Sequence, residues 1–169
     1  MFKPHDALKA SVANSPVKLL LACLLTVSIA FLPSCERFAL DRQMEELCRK
    51  DGGVKVYEKI RLPRSMFDQW GDPFPGWRNR PPPQRLGNEY LYSVEVVYLK
   101  RGDPMKGEGR LERQLEQIVR RSDGKLLGEA VSYGRAGGDF IAYAHPSSLH
   151  CPIQKSDSDG LIKSVFGRE

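Results

Sequence analysis

The chain has 169 residues, a length typical of one ordinary domain, and carries 26 Lys and Arg against 21 Asp and Glu. The two signs of charge are interleaved, as in the stretch RLERQLEQIVRRSDGK, and form no basic stripe. Because a nucleic-acid footprint needs clustered Lys and Arg to displace counterions, we expect a solvated surface of mixed charge and no nucleic-acid partner.

The first 34 residues are predicted to be an export signal. Residues 1–18 supply three lysines, and the uncharged apolar run LLLACLLTVSIAFL follows them. This run is short against the roughly 20 apolar residues of a membrane-spanning helix, and Pro33 ends it where a protease needs extended chain. We therefore expect residues 1–34 to be a cleaved signal peptide and residues 35–169 to form one domain.

The end of this segment, Leu32-Pro33-Ser34-Cys35, resembles the lipobox of bacterial lipoproteins: an aliphatic residue, a small residue before the cut, and then cysteine. Pro33 departs from the small or aliphatic residue usual at its position. In that family the cysteine thiol receives a diacylglycerol and the chain is cut just before it. The resemblance implies that Cys35 is the lipid-attachment site. The alternatives are a plain secretory signal and an uncleaved N-terminal anchor.

The stretches LCRKDGGVKVYEKIRLP and RRSDGKLLGEAVSYGRAGGDF are similar to segments of small, uncharacterised proteobacterial lipoproteins. The resemblance implies a lipid-anchored protein in the cell envelope, facing the periplasm, and carries no catalytic residue. Glu36 stands after the cysteine, where the enterobacterial pattern for inner-membrane retention has Asp. This difference favours the outer membrane over the inner one.

The chain has four cysteines. With Cys23 in the signal and Cys35 assigned to the lipid, Cys48 and Cys151 remain, and they form an even pair in a compartment where disulfides persist. We expect these two to be bonded; the alternative is a pair of buried free thiols. Because Cys151 is used in this way, its neighbours His145 and His150 make only a weak metal-binding cluster, and no metal ion is expected.

A short helix and a strand are predicted to open the domain. Leu40, Met44, Leu47 and Cys48 fall on one helical face, and Asp51-Gly52-Gly53 ends the helix because glycine tolerates a left-handed cap. The alternating stretch VKVYEKI then favours a strand at residues 54–60.

The long segment at residues 62–88 is predicted to be a loop, since its six prolines forbid a central strand or helix. It contains both tryptophans, and we single out Trp70, Trp77, Phe74 and Arg78 as possible contacts to a ligand or partner. Aromatic rings on a stiff loop can stack on sugars or anchor a protein. The alternative is that the loop folds over the sheet and the tryptophans cap the core.

The clearest strand signal follows at residues 89–101, where apolar and polar positions alternate. Residues 110–121 are ambiguous between helix and strand, but the hairpin turn SDGK after them favours a strand pair. The tail GLIKSVFG has room for one or two helical turns. Together these elements predict a small α+β domain with a three- or four-stranded antiparallel sheet, an N-terminal helix, a long Pro-rich loop and an irregular C-terminal tail.

No nucleophile, zinc-protease, phosphate-loop or dinucleotide motif occurs in the chain. We therefore expect a membrane-tethered envelope lipoprotein that acts without a cofactor as a non-catalytic binding or structural accessory module. Its partners would be the membrane, through the lipid, and an envelope protein or glycan. The alternative is a secreted or periplasmic enzyme that acts on envelope polymers, with its site near the Trp70–Trp77 loop.

Overall fold

The computed structural model of the protein describes residues 34–139, 145–151 and 157–169; the side chains of residues 34, 35, 157 and 158 are outside this description. These residues belong to one of the two units into which the chain divides, Pro33–Glu169. The predicted signal peptide, up to residue 33, lies outside the described residues.

A five-stranded antiparallel sheet forms the centre of the domain. Three strands of 11 residues lie side by side in the order β5, β4, β3, and the short strands β1 and β6 both pair with β5 on its other edge. A separate parallel pair joins β2 to β7. The elements are α1 (Ser34–Asp51), β1 (Gly53–Val56), β2 (Ile60–Leu62), β3 (Tyr90–Lys100), β4 (Arg110–Arg120), β5 (Leu126–Ala136), β6 (Ser148–Cys151), α2 (Asp157–Val165) and β7 (Phe166–Arg168).

The predicted α+β class is confirmed, and the ambiguity at residues 110–121 is resolved in favour of a strand. β4 pairs with β3 on one side and with β5 on the other, so its backbone groups are used in ladders and the helical alternative is wrong. The predicted turn joins β4 to β5: Gly124 takes φ 68°, a conformation that glycine adopts without steric cost, and its N–H donates to the Arg120 carbonyl at 2.9 Å.

The strand predicted at residues 54–60 is interrupted. Tyr57 and Glu58 both donate their N–H groups to the Leu127 carbonyl, at 2.8 and 3.0 Å. Two residues thus oppose one acceptor, and the chain leaves β5 at this point in the manner of a bulge. It resumes as β2, which pairs with β7 more than 100 residues later in the chain, an association that local periodicity cannot show.

The C-terminal tail is not irregular, and the sheet has more strands than predicted. β6 pairs with the end of β5, and α2 is followed directly by β7. β6 has 4 residues and β7 has 3. Both strands are too short to show a recognisable alternation, so their pairing depends on the partner strands that the fold brings beside them.

Each face of the sheet carries a hydrophobic cluster, since successive residues of a strand point to opposite sides. On one face, Val131 and Tyr133 of β5 pack with Leu40 and Met44 of α1. On the other, Ala130 belongs to a core with α2 and the proline-rich loop. A Cβ on Gly128 would lie 2.8 Å from Val165 Cγ2, so glycine permits the close approach of α2.

Candidate functional site

The proline-rich loop, residues 63–89, folds back over the sheet face that α2 also covers. Phe74 and Trp77 are only 4% and 3% exposed and belong to the core, together with Leu86. Trp70 is 80% exposed. The loop therefore separates the two tryptophans that the sequence grouped: one is a core side chain, and the other projects into solvent.

Three aromatic rings fix the middle of the loop. Phe74 packs edge-on against Phe166 and Tyr90, with ring centroids 4.9 and 5.9 Å apart, and Tyr90 lies 4.8 Å from Phe166. Phe74 has φ 54°, a left-handed backbone conformation that is uncommon for a bulky residue. The surrounding rings hold it there, which indicates that the loop is shaped by packing.

A buried carboxylate links the loop to α2. Asp72 is 6% exposed and accepts from Arg78 Nη1 at 2.5 Å and from Lys163 Nζ at 2.6 Å. Arg78 also donates to Asp159 at 2.6 Å. The Lys163 ammonium and then the Arg78 guanidinium hold the pKa of Asp72 below its ordinary value. Through these two ion pairs, Arg78 joins the proline-rich loop to α2.

A groove of about 470 Å³ opens beside the loop. Ligand sites for small molecules and short segments span about 300–1,000 Å³, so the groove is large enough for several side chains. Its walls are mainly apolar, and Arg80 and Glu89 supply charge among the lining residues. The apolar residues that line it are Leu62, Pro63, Met66, Phe74, Pro75 and Leu86.

The predicted contact residues have different roles around this groove. Phe74 contributes to its wall from the core, while Trp70, Trp77 and Arg78 are not among its lining residues. The Arg78 guanidinium lies 4.6 Å from the Trp77 ring centroid, so it packs on the loop's own aromatic core. Sequence reasoning missed Met66 and Leu86. The signal in the sequence that could have identified them is the set of apolar residues that lie between the prolines of this loop.

The predicted disulfide is present between Cys48 and Cys151, with Cα atoms 6.1 Å apart. It joins the end of α1 to the end of β6, and Cys151 is 8% exposed within the core beneath the helix. In the ranges that the structure covers, no group of three His, Cys, Asp or Glu residues is placed to hold a metal ion.

Cys35 lies in the first turn of α1 by its backbone, and its side chain is outside the described part of the chain. The next residue, Glu36, forms an ion pair with Lys100 at the end of β3. The folded domain therefore begins at the predicted attachment site without an intervening linker. Neither α1 nor α2 is long and apolar enough to cross a membrane.

No protein-family model matches the chain, and searches of curated proteins and of solved structures found no match to it. Functional inference for this protein therefore depends on its own residues and their geometry.

Proposed function

We propose that the protein is a membrane-tethered lipoprotein of the bacterial envelope and that its domain is a non-catalytic binding module. The observation that carries the proposal is the apolar groove beside the proline-rich loop. In this proposal the groove binds an apolar segment of an envelope protein. Its Leu, Met, Pro and Phe walls suit apolar side chains, whereas a glycan would require an exposed ring, and Trp70 does not line the groove.

Two features support the proposed tether: the sequence before the domain and the start of α1. The lipobox-like residues end at Cys35, and Glu36 is already held to the sheet by Lys100. Acyl chains on Cys35 would keep the domain at the membrane surface, because each buried methylene contributes about 0.8 kcal/mol. The absence of a linker would restrict how far the groove can reach from the bilayer.

Glu89 is the single carboxylate among the residues that line the groove, and two other acids of the loop, Asp68 and Asp72, have structural roles that favour binding over catalysis. A catalytic acid needs access to substrate, but Asp72 is buried and held by Arg78 and Lys163. Asp68 accepts the N–H groups of Trp70 and Asp72 at 2.9 and 2.8 Å, which gives it a role in the turn. Both acids are used to shape the loop that forms the groove.

Replacing Cys35 is expected to abolish lipid attachment. Cells that express the full-length chain would be grown with labelled palmitate, and label on the protein would be measured after immunoprecipitation. We expect wild type to be labelled and Cys35→Ser to lose nearly all label, because no other residue receives the acyl groups. Cys23→Ser is the matched control and should keep the label. Equal labelling of wild type and Cys35→Ser would contradict the tether.

A positive charge placed in the groove is expected to reduce partner binding roughly tenfold, since the ammonium would lose its water when an apolar segment binds over it. A photo-crosslinking residue at Asn88, which lines the groove, would report the partner as a covalent adduct in intact cells. Met66→Lys should weaken this adduct. Met105→Lys is the matched control, because Met105 is 68% exposed and does not line the groove.

The same photo-crosslinking residue placed at Met105 should not give the covalent adduct that forms from Asn88. If both positions capture the same proteins, or if Met66→Lys leaves the Asn88 adduct unchanged, the groove is not the binding site.

A further inference from the structure

The second half of β3 is exposed on both faces of the sheet. Residues 94–99 are all exposed, whereas Tyr90 and Tyr92 in the first half of the strand are 6% and 1% exposed. Five of the six residues are large and apolar, with exposures from 37% to 45%, and Glu95 is the sixth: the apolar set is Val94, Val96, Val97, Tyr98 and Leu99. We call residues 94–99 the open strand.

The open strand also lies at an edge of the sheet. β3 pairs with β4 and is the last strand in the sheet order, so one row of its backbone N–H and C=O groups has no partner strand in the described fold. Proteins usually protect such edges with Pro, Lys or a bulge. The open strand contains neither Pro nor Lys, and its only irregularity is the register shift between Tyr98 and Lys100.

We propose that two copies of this chain associate by antiparallel pairing of their β3 strands through residues 94–99. The pairing would join the two sheets into one continuous sheet and would remove both apolar edges from water. An isologous contact of this kind closes on itself as a two-fold dimer. This association does not depend on what the groove binds.

The charges flanking the open strand favour a second copy in the antiparallel direction. Glu95 is opposite Leu115 and Lys100 is opposite Leu111, so the register shift places both charged residues on the sheet face that α1 covers. When Val97 of each copy lies at the two-fold axis, Glu95 is two register positions from the axis. Lys100 is also two register positions from it, in the other direction, because the register shift absorbs one residue. Glu95 of one copy therefore lies opposite Lys100 of the other. Opposite charges in such cross-strand positions stabilise pairing, and like charges oppose it.

The same register pairs Val96 with Tyr98 of the other copy, on the opposite face. β-branched residues opposite aromatic residues are among the favourable cross-strand pairs. A parallel arrangement in register would instead place Glu95 beside Glu95 and Lys100 beside Lys100. Charge and side-chain type therefore select the antiparallel arrangement.

The position of α1 is compatible with this dimer. The two-fold axis is perpendicular to the sheet, so both α1 helices lie on the same face of the joined sheet. Glu36 contacts Lys100 in each copy, and Lys100 lies two register positions from Val97 because the register shift absorbs one residue, a separation of about 7 Å along the strand. Both helix starts would lie near the axis, where two anchors can enter one membrane.

A charge-swap experiment tests both the association and its direction. Full-length copies with two different affinity tags would be co-expressed, extracted in mild detergent and purified through one tag, and the second tag would be quantified. We expect wild-type copies to co-purify. Two copies of Glu95→Lys, or two copies of Lys100→Glu, should co-purify about tenfold less, because like charges then meet twice across the axis.

A second sample mixes one copy of Glu95→Lys with one copy of Lys100→Glu. Opposite charges face each other again in this mixture, and co-purification should return to the wild-type level. The direction of pairing is reported by the losses in the single variants, because a parallel pairing in register would already place like charges together in the wild type and would not be weakened by either change. Glu36→Gln is the matched control for Lys100→Glu, since it removes the same ion pair within the chain and leaves the open strand unchanged. It should co-purify like wild type.

The proposal is overturned if wild-type copies do not co-purify, if the single variants associate as well as wild type, or if the mixture fails to recover. Loss of co-purification in Glu36→Gln would also overturn it, because the effect would then come from the α1 contact.

Discussion

Removing the Cys48–Cys151 disulfide is expected to lower the free energy of unfolding by about 4 kcal/mol. The bond closes a loop with a sequence separation of 103 residues, and the chain-entropy model assigns about 4.7 kcal/mol to a 100-residue loop. A small domain has a total stability of about 5–15 kcal/mol. The disulfide therefore accounts for a large part of what keeps this domain folded.

The location of the bond adds a specific consequence. It joins the end of α1 to β6, and the start of α1 carries the proposed anchor at Cys35. Without the bond, α1 is held on the sheet by the packing of Leu40, Met44 and Leu47 and by its ion pairs with Lys100 and Arg135. We expect the helix to separate from the sheet early in the unfolding of the reduced protein.

Urea unfolding of the purified protein, with and without reductant, measures the effect. The variant Cys48→Ala/Cys151→Ala should match reduced wild type and should not respond to reductant. If the wild-type midpoint is the same under both conditions, the bond does not contribute to stability.

Replacing Arg135 with Met is expected to cost about 3 kcal/mol, since breaking a buried charge pair is strongly destabilising and Asp41 would keep only its longer ion pair with Arg37, at 3.8 Å. Arg135 is 2% exposed, and its Nε donates to Asp41 Oδ1 at 2.7 Å. Its Nη1 donates to the Ser147 carbonyl at 2.9 Å and to Ser147 Oγ at 2.6 Å. One guanidinium thus joins α1, the end of β5 and the segment before β6.

Arg113→Met is the matched control for this prediction. Arg113 lies on the neighbouring strand and forms a more exposed ion pair with Asp51 at 3.7 Å. Exposed ion pairs contribute about 0–1 kcal/mol, so the control should lose far less stability. The double variant Arg135→Met/Asp41→Leu should lose less than the sum of its single changes, because both single changes remove the same ion pair and the double variant does not leave the buried Arg135 guanidinium without Asp41. Equal losses for the two Arg variants in urea unfolding would contradict the role of Arg135.

Elements that depend on local spacing were predictable. The apolar face of α1 repeats at helical intervals, β3 alternates apolar and polar residues from Tyr92 to Val96, and the SDGK sequence with its glycine is typical of a hairpin turn. The Cys48–Cys151 pair was predictable for a different reason. Once one cysteine was assigned to the signal and one to the lipid, the assignment allowed a single bond.

The candidate site was less predictable. The proline-rich loop was singled out from its composition, but composition does not show which side chains of the loop point into the core and which point into solvent. Trp70 and Trp77 have similar neighbours in sequence, yet one is exposed and the other buried, because only Trp77 lies against the sheet and α2. The groove likewise requires Met66 and Leu86, which are 20 positions apart in the chain, to lie on one surface.

The sequence alone determined the N-terminal helix, the strand β3, the cysteine pair and the expectation of an envelope address, since each depends on residues close together or on counting. Tertiary structure decided the rest: β4 as a strand rather than a helix, the interruption at Tyr57, the β2–β7 pair, the burial of Trp77 and the open edge of β3. These features depend on contacts between segments that are far apart in the chain. The free energy of such a contact depends on both surfaces, and the second surface is beside the first only in the folded domain.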